Sequence, residues 1–467
     1  MKFSCVCRLT ILAGLTAVIV QSAVAHDGHG DPLDPYKGPG YAGGAGGQPP
    51  VDFESHNAGL LSWIPATHFS DDVTAANDCW GYVSDSGREY AIIGLSHGTG
   101  FVDVTDPAEP EIVAFVDGPQ SVWRDMKTYA DHLYVVTEGG GGIQVIDLSN
   151  IDDEGVELVN TVDVSGSGAT HNVYINEESG YLYRCGGGSW TTLGLRIYHL
   201  EEPANPQFVG EWHDRYAHDV QVVNWTDGPY AGREIAFVFA NDTPGGGNPA
   251  VDILDVTDKS NIETIAVADY SYPAFSHQGW LSDDRQYLFV GDELNEINYG
   301  LTTTTNIIDI SDLDNPVDKG TYTNGSNAIT HNMFTRGDYL FQANYRSGLR
   351  VLDVSDPVDP EEVAFFDTFP EDDEPSFNGL WSNYPYLPSG IVLGSDREKG
   401  LFVWQIDLDE AALGDLTGDG VVGGADLGIL LSEWGPCDDC GDCPADLTGD
   451  CEVGGADLGV LLSNWTP

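Results

Sequence analysis

The sequence predicts an all-β chain, a seven-bladed β-propeller, followed by a small α-helical module at the C-terminal end. Three observations predict it. A strand-and-turn unit recurs about every 50 residues, apolar and polar residues alternate with period two inside each unit, and a segment of different character is duplicated after residue 411. The recurring piece is an apolar strand ending in Asp and a turn: FVDVTDPAEP from Phe101, IQVIDLSN from Ile143, LRIYHLEEPANP from Leu195, VDILDVTD from Val251, NIIDISDLDNP from Asn306, LRVLDVSDPVDP from Leu349 and LFVWQIDL from Leu401. Aligned on Asp103, Asp147, His199, Asp255, Asp309, Asp353 and Gln405, the units step by 44 to 56 residues.

Each unit adds an upstream strand such as HNVYIN from His171, a second such as YLFVGDE from Tyr287, and a fourth after the turn such as EEVAFFDT from Glu361. Four short strands at this pitch make one propeller blade, and no helical stripe of three turns precedes residue 411. The seventh unit lacks a fourth strand, while LLSWI, residues 60–64, stands before the first unit with no partner. Pairing the two closes the ring and removes two exposed sheet edges. The propeller is therefore assigned to residues 58–408.

The N-terminal end carries basic Lys2 and Arg8, an apolar run from Leu9 to Val20, and the small-residue triplet Ala23-Val24-Ala25. This pattern is that of a secretory signal, residues 1–25, cleaved near Ala25 to leave a secreted or cell-surface-associated protein. No other run approaches the length of a bilayer span, so no membrane span is expected. Residues 26–57 hold eight Gly and five Pro and read as a flexible leader. The 75 acidic against 18 basic residues give a formal net charge of -57, which repels phosphate backbones and argues against a nucleic-acid partner.

At the other end, DLTGDGVVGGADLGILLSEW from Asp415 and DLTGDCEVGGADLGVLLSNW from Asp446 agree at 16 of 20 positions. Each begins with a twelve-residue loop of the EF-hand kind, which wraps clustered oxygen donors around a calcium ion. The expected ligands are Asp415, Thr417, Asp419, the Val421 carbonyl and Asp426 in the first loop, and Asp446, Thr448, Asp450, the Glu452 carbonyl and Asp457 in the second. Thr at position 3 lowers the ligand charge. Cys451 stands at position 6, where a left-handed backbone normally calls for Gly and costs another residue roughly 1–2 kcal/mol. The following helices place Leu427, Leu430, Leu431 and Trp434, and their twins Leu458, Leu461, Leu462 and Trp465, on one face each, as if to pack together. Cys437, Cys440, Cys443 and Cys451 read as disulfides stapling the loop between the repeats, with a zinc or iron–sulfur cluster as the other reading of C-x-x-C-x-x-C.

The tandem pair, residues 414–467, resembles a type I dockerin, which implies calcium-dependent docking to a cohesin-like or other extracellular protein. Cohesin recognition usually runs through loop positions 10 and 11. Here these are Gly424-Ala425 and Gly455-Ala456, which lack the hydroxyl pair an ordinary cohesin meets.

The propeller units share a second feature at the start of their first strands: Arg124-Asp125, His171-Asn172, His218-Asp219, His277-Gln278, His331-Asn332 and Phe377-Asn378. First strands line the propeller axis, and the loops joining second to third strands bring Glu138, Asp242, Asp292, Glu293, Asn344 and Asp396 to the same mouth. Two readings stand. His171, His218, His277 and His331 with Asp292 and Glu293 are a candidate metal site able to activate water for hydrolysis. Alternatively, each pair hydrogen-bonds neighbouring backbone as a structural consensus of the repeat. No nucleophile elbow, phosphate loop or H-E-x-x-H occurs in a usable context. The enzyme reading rests on this ring alone, and no catalytic residue is assigned.

ATHNVYIN, YAHDVQVV, FSHQGWLSDDRQYLFVGDE, ITHNMF and LRVLDVSDPVDP resemble the choice-of-anchor B family, exported proteins of LVIVD-type propeller repeats with interchangeable C-terminal attachment signals. The resemblance implies a fold and a location but no reaction. The expected function is that of a secreted binding or scaffold body tethered by its tail. The alternatives are a metal-dependent hydrolase at the channel mouth and an accessory component of a polysaccharide-degrading assembly.

Overall fold

The computed structural model describes residues 33–45, 47–153, 155–164, 168–187, 193–241, 248–408, 413–417, 421–437 and 443–465. The signal segment, Asp242, Asp419 and Cys440 lie outside them. Seven antiparallel sheets form the blades, and their innermost strands are Ala76–Val83, Arg124–Tyr129, Asn172–Asn176, Tyr216–Asn224, Ser276–Leu281, Met333–Arg336 and Leu380–Tyr384. Each innermost strand neighbours the next, and Leu380–Tyr384 returns to Ala76–Val83 to complete the ring. Apolar clusters fill the space between successive sheets. Ile235, Phe237, Val251 and Ile253 of the fourth blade, for instance, meet Leu288, Val290 and Ile308 of the fifth.

The repeated sequence features have local causes. In five blades the Asp that ends the third strand turns its carboxylate back onto the backbone N–H two residues on: Asp103 to Thr105, Asp147 to Ser149, Asp255 to Thr257, Asp309 to Ser311 and Asp353 to Ser355. This Asx turn reverses the chain toward the fourth strand. The third and fourth strands of the first six blades also share an irregularity in register, at 101/102, 145/146, 197/198, 253/254, 307/308 and 351/352. A bulge at this position increases the local twist, which lets the wedge-shaped blades fan around an axis.

Closure follows the sequence expectation. Ala58–Ile64 pairs with Gly400–Ile406 as the fourth strand of the last blade. Trp63 anchors it: the indole is 1% exposed, stacks on Phe402 at 5.4 Å between ring centroids, and donates through Nε1 to the Lys399 carbonyl at 2.7 Å.

The leader departs from expectation. From residue 33 onward it lies against the propeller: Tyr41–Ala42 pairs with Ser62 and Trp63, Ser55–His56 pairs with Phe365 and Phe366, and Tyr36 and Phe53 pack on Trp63. Its glycines permit the approach. A Cβ at Gly40 or Gly43 would collide with the main-chain oxygen of Trp63 or Leu61. The composition that reads as a flexible linker instead lets one backbone lie flat on another.

Removing Trp63 tests the closure. Trp63→Ala should destabilise the propeller by about 3–5 kcal/mol, the usual cost of emptying a large aromatic site. A denaturant midpoint equal to that of the native sequence would show that the closing strand does not hold the ring.

Candidate functional site

Two adjacent positions at the ends of second strands recur with distinct roles in several blades. The residue ending the second strand braces its surroundings. Thr137 donates to the Trp123 carbonyl at 2.7 Å, Asn241 exchanges two hydrogen bonds with Ser276, and Asp396 accepts from the N–H groups of Glu398 and Lys399. Asp292 occupies this position and accepts from Tyr270 Oη and from the N–H groups of Ala274, Phe275 and Leu294. The expectation that Asp292 joins the histidine ring is therefore not met, because its carboxylate is used in holding the preceding loop. The next residue faces the axis instead: Glu138, Glu293, Tyr345 and Arg397 in the second, fifth, sixth and seventh blades.

The four histidines do converge. Ring centroids are 4.0 Å apart between His171 and His218, 4.3 Å between His218 and His277, and 4.2 Å between His277 and His331. All four are buried. His218 Nδ1 lies 2.9 Å from the His277 carbonyl and His331 Nδ1 bonds the Trp381 carbonyl. A carbonyl only accepts, so both Nδ1 atoms carry a proton. Glu293 Oε1 lies 3.7 Å from His277 Nε2, 3.5 Å from His331 Nε2, and accepts from Tyr345 Oη at 2.8 Å. His171 Nδ1 is engaged separately, 2.7 Å from Glu138 Oε1.

Burial sets the charge state. It pushes the Glu293 carboxyl up to about 8, against the Tyr345 hydrogen bond, and pushes the His331 imidazole down to about 3, against its bond to the Trp381 carbonyl. A buried carboxyl and imidazole are thus kept neutral at pH 7. Trp381 packs on His331, Phe275 on His218 and Phe377 on Tyr345.

The second member of each pair has the structural role. Asp125 Oδ2 accepts from Val173 N, Asn172 Nδ2 donates to Asp219 Oδ2, Gln278 exchanges two hydrogen bonds with the Met333 backbone, and Asn332 donates to Ser382 Oγ. Each bond crosses to the next blade. The bracing expected of the structural reading therefore falls on the second residue of each pair, and the imidazoles gather at the axis beside it. Sequence reasoning missed Tyr345 and Arg397, although aligning YLFVGDE with YLFQANY and with VLGSDR places both at the Glu293 position.

At the opposite mouth a cavity of about 370 Å³ is lined by Trp80, Tyr174, Trp280, Tyr384, Glu177 and Arg285, among others. Cys79 and Cys185 are free thiols, buried in different blades, and burial raises both above the ordinary thiol range.

In the tail, Asp426 reaches back across its loop, accepting from Thr417 N and Oγ1 at 2.9 Å and from Gly423 N at 2.7 Å. The Gly423 N–H, with those of Thr417, holds its carboxyl down near 2. Asp457 repeats the pattern with Thr448 and Gly454. Asp446, Asp450 and Asp457 bring carboxylate oxygens within 4.8 Å of one another, a donor set that suits a hard cation. Cys451 has the left-handed backbone its position requires, with φ 65°. Cys437 pairs with Cys443, and Cys451 is also disulfide-bonded.

The helices Gly424–Ser432 and Gly455–Ser463 do not bury the whole face expected of them. Leu430 and Leu461 are buried with Val422, Ala445 and Val453. Leu431, Trp434, Leu462 and Trp465 remain 54%, 50%, 52% and 40% exposed. The two-helix core is too small to cover them.

The inner ring also supplies a pH signature. Burial, with the like charge of Asp125, pushes Asp219 up to about 7, while Lys127 opposes. The folded chain then holds this proton more tightly than the unfolded one, so stability is lost as pH rises from the ordinary carboxyl range through 7. Asp219→Asn should melt with the native sequence at pH 4 and several degrees above it at pH 8. Equal melting temperatures at pH 8 would contradict this.

Comparison with known proteins bears on the blades. The LVIVD repeat family model matches residues 286–324 and 330–368, within the fifth and sixth blades. No curated protein matches the chain. A crystal structure of a protein from Lactobacillus plantarum is similar at 14% identity and a TM-score of 0.48, over 69% of this chain and 89% of that one. The β-propeller domain of Myceliophteria thermophila Cps50 (Swd1) is similar at 10% identity and a TM-score of 0.46, over 70% and 96%. The chain carries LVIVD repeats in two neighbouring blades of a seven-bladed propeller.

Proposed function

We propose that the chain is an exported binding body, a propeller attached to an extracellular or cell-surface protein by a calcium-ordered, dockerin-like tail. The observation that carries this reading is the duplicated apolar surface of the tail. Leu431 and Trp434 recur as Leu462 and Trp465, the leucines on two neighbouring helices and each tryptophan two residues past its helix end, and all four stay largely in solvent. Exposed apolar area costs about 25 cal/mol per Å², and paired indoles are characteristic anchors of a protein interface. The small Gly-Ala pairs at loop positions 10 and 11 leave recognition to this face rather than to loop hydroxyls.

Calcium fits the loops on the chemistry of their donors. Asp415, Thr417, Val421 and Asp426, and Asp446, Thr448, Asp450, Glu452 and Asp457, supply oxygen ligands only. The ion would hold together a module whose buried core is five side chains. For the propeller, the aromatic-lined cavity at the mouth opposite the histidines falls in the usual size range for small-molecule sites and is the proposed ligand entry.

Hydrogen exchange on the full-length protein tests the tail. Chelating calcium should strip protection from residues 421–465 and leave residues 76–406 unchanged. Unaltered protection in the tail would refute its dependence on calcium. Titration against a panel of type I cohesins in calcium should show binding that Trp434→Ser with Trp465→Ser abolishes at unchanged calcium affinity. Equal binding by that variant would exclude the exposed face as the docking surface.

A further inference from the structure

We propose that the histidine mouth of the propeller is a resident site for a zinc-class divalent ion, with His218, His277, His331 and Glu293 as ligands and Tyr345 as the residue that positions the carboxylate. This goes beyond the tail-docking reading and rests on different residues.

The distances support it first. Nitrogen and carboxylate ligands lie about 2.0–2.1 Å from zinc, so the edges of a tetrahedron around the ion are roughly 3.4 Å. Glu293 Oε1 lies 3.5 Å from His331 Nε2 and 3.7 Å from His277 Nε2, close to that edge before any ion draws them in. Ligand atoms of His218, His277 and Glu293 all fall within 4.8 Å of one another.

The tautomers support it second. A metal-binding imidazole commonly donates its other ring N–H to a carbonyl or carboxylate, which fixes the ring and directs the lone pair at the ion. His218 and His331 are held this way through Nδ1 by the His277 and Trp381 carbonyls of the next blade. Tyr345 Oη does the same for the acid, donating to Glu293 Oε1 at 2.8 Å. His171, whose Nδ1 lies 2.7 Å from Glu138 Oε1, stands outside the group that His218, His277 and Glu293 form.

The blade pattern is the third support. Asp125, Asn172, Gln278 and Asn332 brace the blades alongside the Nδ1 bonds of His218 and His331, and blades without imidazole at the neighbouring position are joined as well. The first blade has Asn77 there and the seventh has Trp381, where the sequence repeat suggested Phe377-Asn378, yet both blades close. Imidazole and carboxylate together select a borderline ion such as zinc, whereas the all-oxygen tail loops select calcium. One chain thereby sorts two metals by donor hardness.

The test uses the full-length protein, stripped with a chelator, reloaded with zinc in excess calcium and dialysed against a weak competitor. One equivalent of zinc should remain. Glu293→Gln, which keeps the size of the side chain, should lose it at unchanged circular dichroism and calcium content. Tyr345→Phe should bind zinc roughly tenfold to a hundredfold more weakly, as expected for loss of an outer-shell partner. Cobalt in place of zinc should give the visible absorption of a four-coordinate site in the native sequence and not in Glu293→Gln. Zinc absent from the native protein, or held equally by Glu293→Gln, overturns the proposal.

Discussion

The propeller depends on one pairing, that of Ala58–Ile64 with Gly400–Ile406. Every other blade takes its four core strands from one continuous stretch of the chain. The short Ser55–His56 strand also joins the sixth, and the last blade takes one of its four core strands from the other end of the chain. Without it the array would end in two open edges, the inner strands would lack a closed ring to brace, and the histidines would have no shared axis on which to meet.

Given closure, the blade divides its work between adjacent residues. Inner-strand positions such as Asn172, Gln278 and Asn332 lock each blade to the next, which frees the preceding position to vary. The end of the second strand repeats the scheme: Asp292 and Asp396 hold backbone, and Glu293 and Arg397 face the axis. A repeat built this way can change what it presents at the mouth without changing how it is assembled. The four imidazoles occupy only consecutive blades, the third to the sixth, so the mouth is chemically lopsided although the scaffold is nearly symmetric.

Most of the architecture was legible because it is written in local chemistry. The terminal Asp of each third strand specifies a turn, alternation specifies strands, and a strand without a partner specifies closure. The convergence of the histidines was legible for the same reason, since a repeat fixes equivalent positions in space. Three readings went astray where the outcome depends on tertiary packing. The leader's glycines signal flexibility in isolation but serve close approach to Trp63 and Leu61. Asp292 and Glu293 are neighbours of the same type, and only the register of the strand end separates a brace from an axial group. Leu431 and Trp434 follow a buried periodicity, yet a module of two short helices has too little interior to receive them.

The closing strand also sets a timetable. Trp63 and the Lys399 carbonyl that receives its N–H are separated by 336 positions in the chain. The segment made first therefore finds its partner only when nearly the whole propeller has been synthesised, and until then the nascent chain has neither a closed ring nor a sealed first strand. Contacts this distant in sequence are entropically slow to form. The junction that removes both open edges is therefore among the last contacts the chain can make.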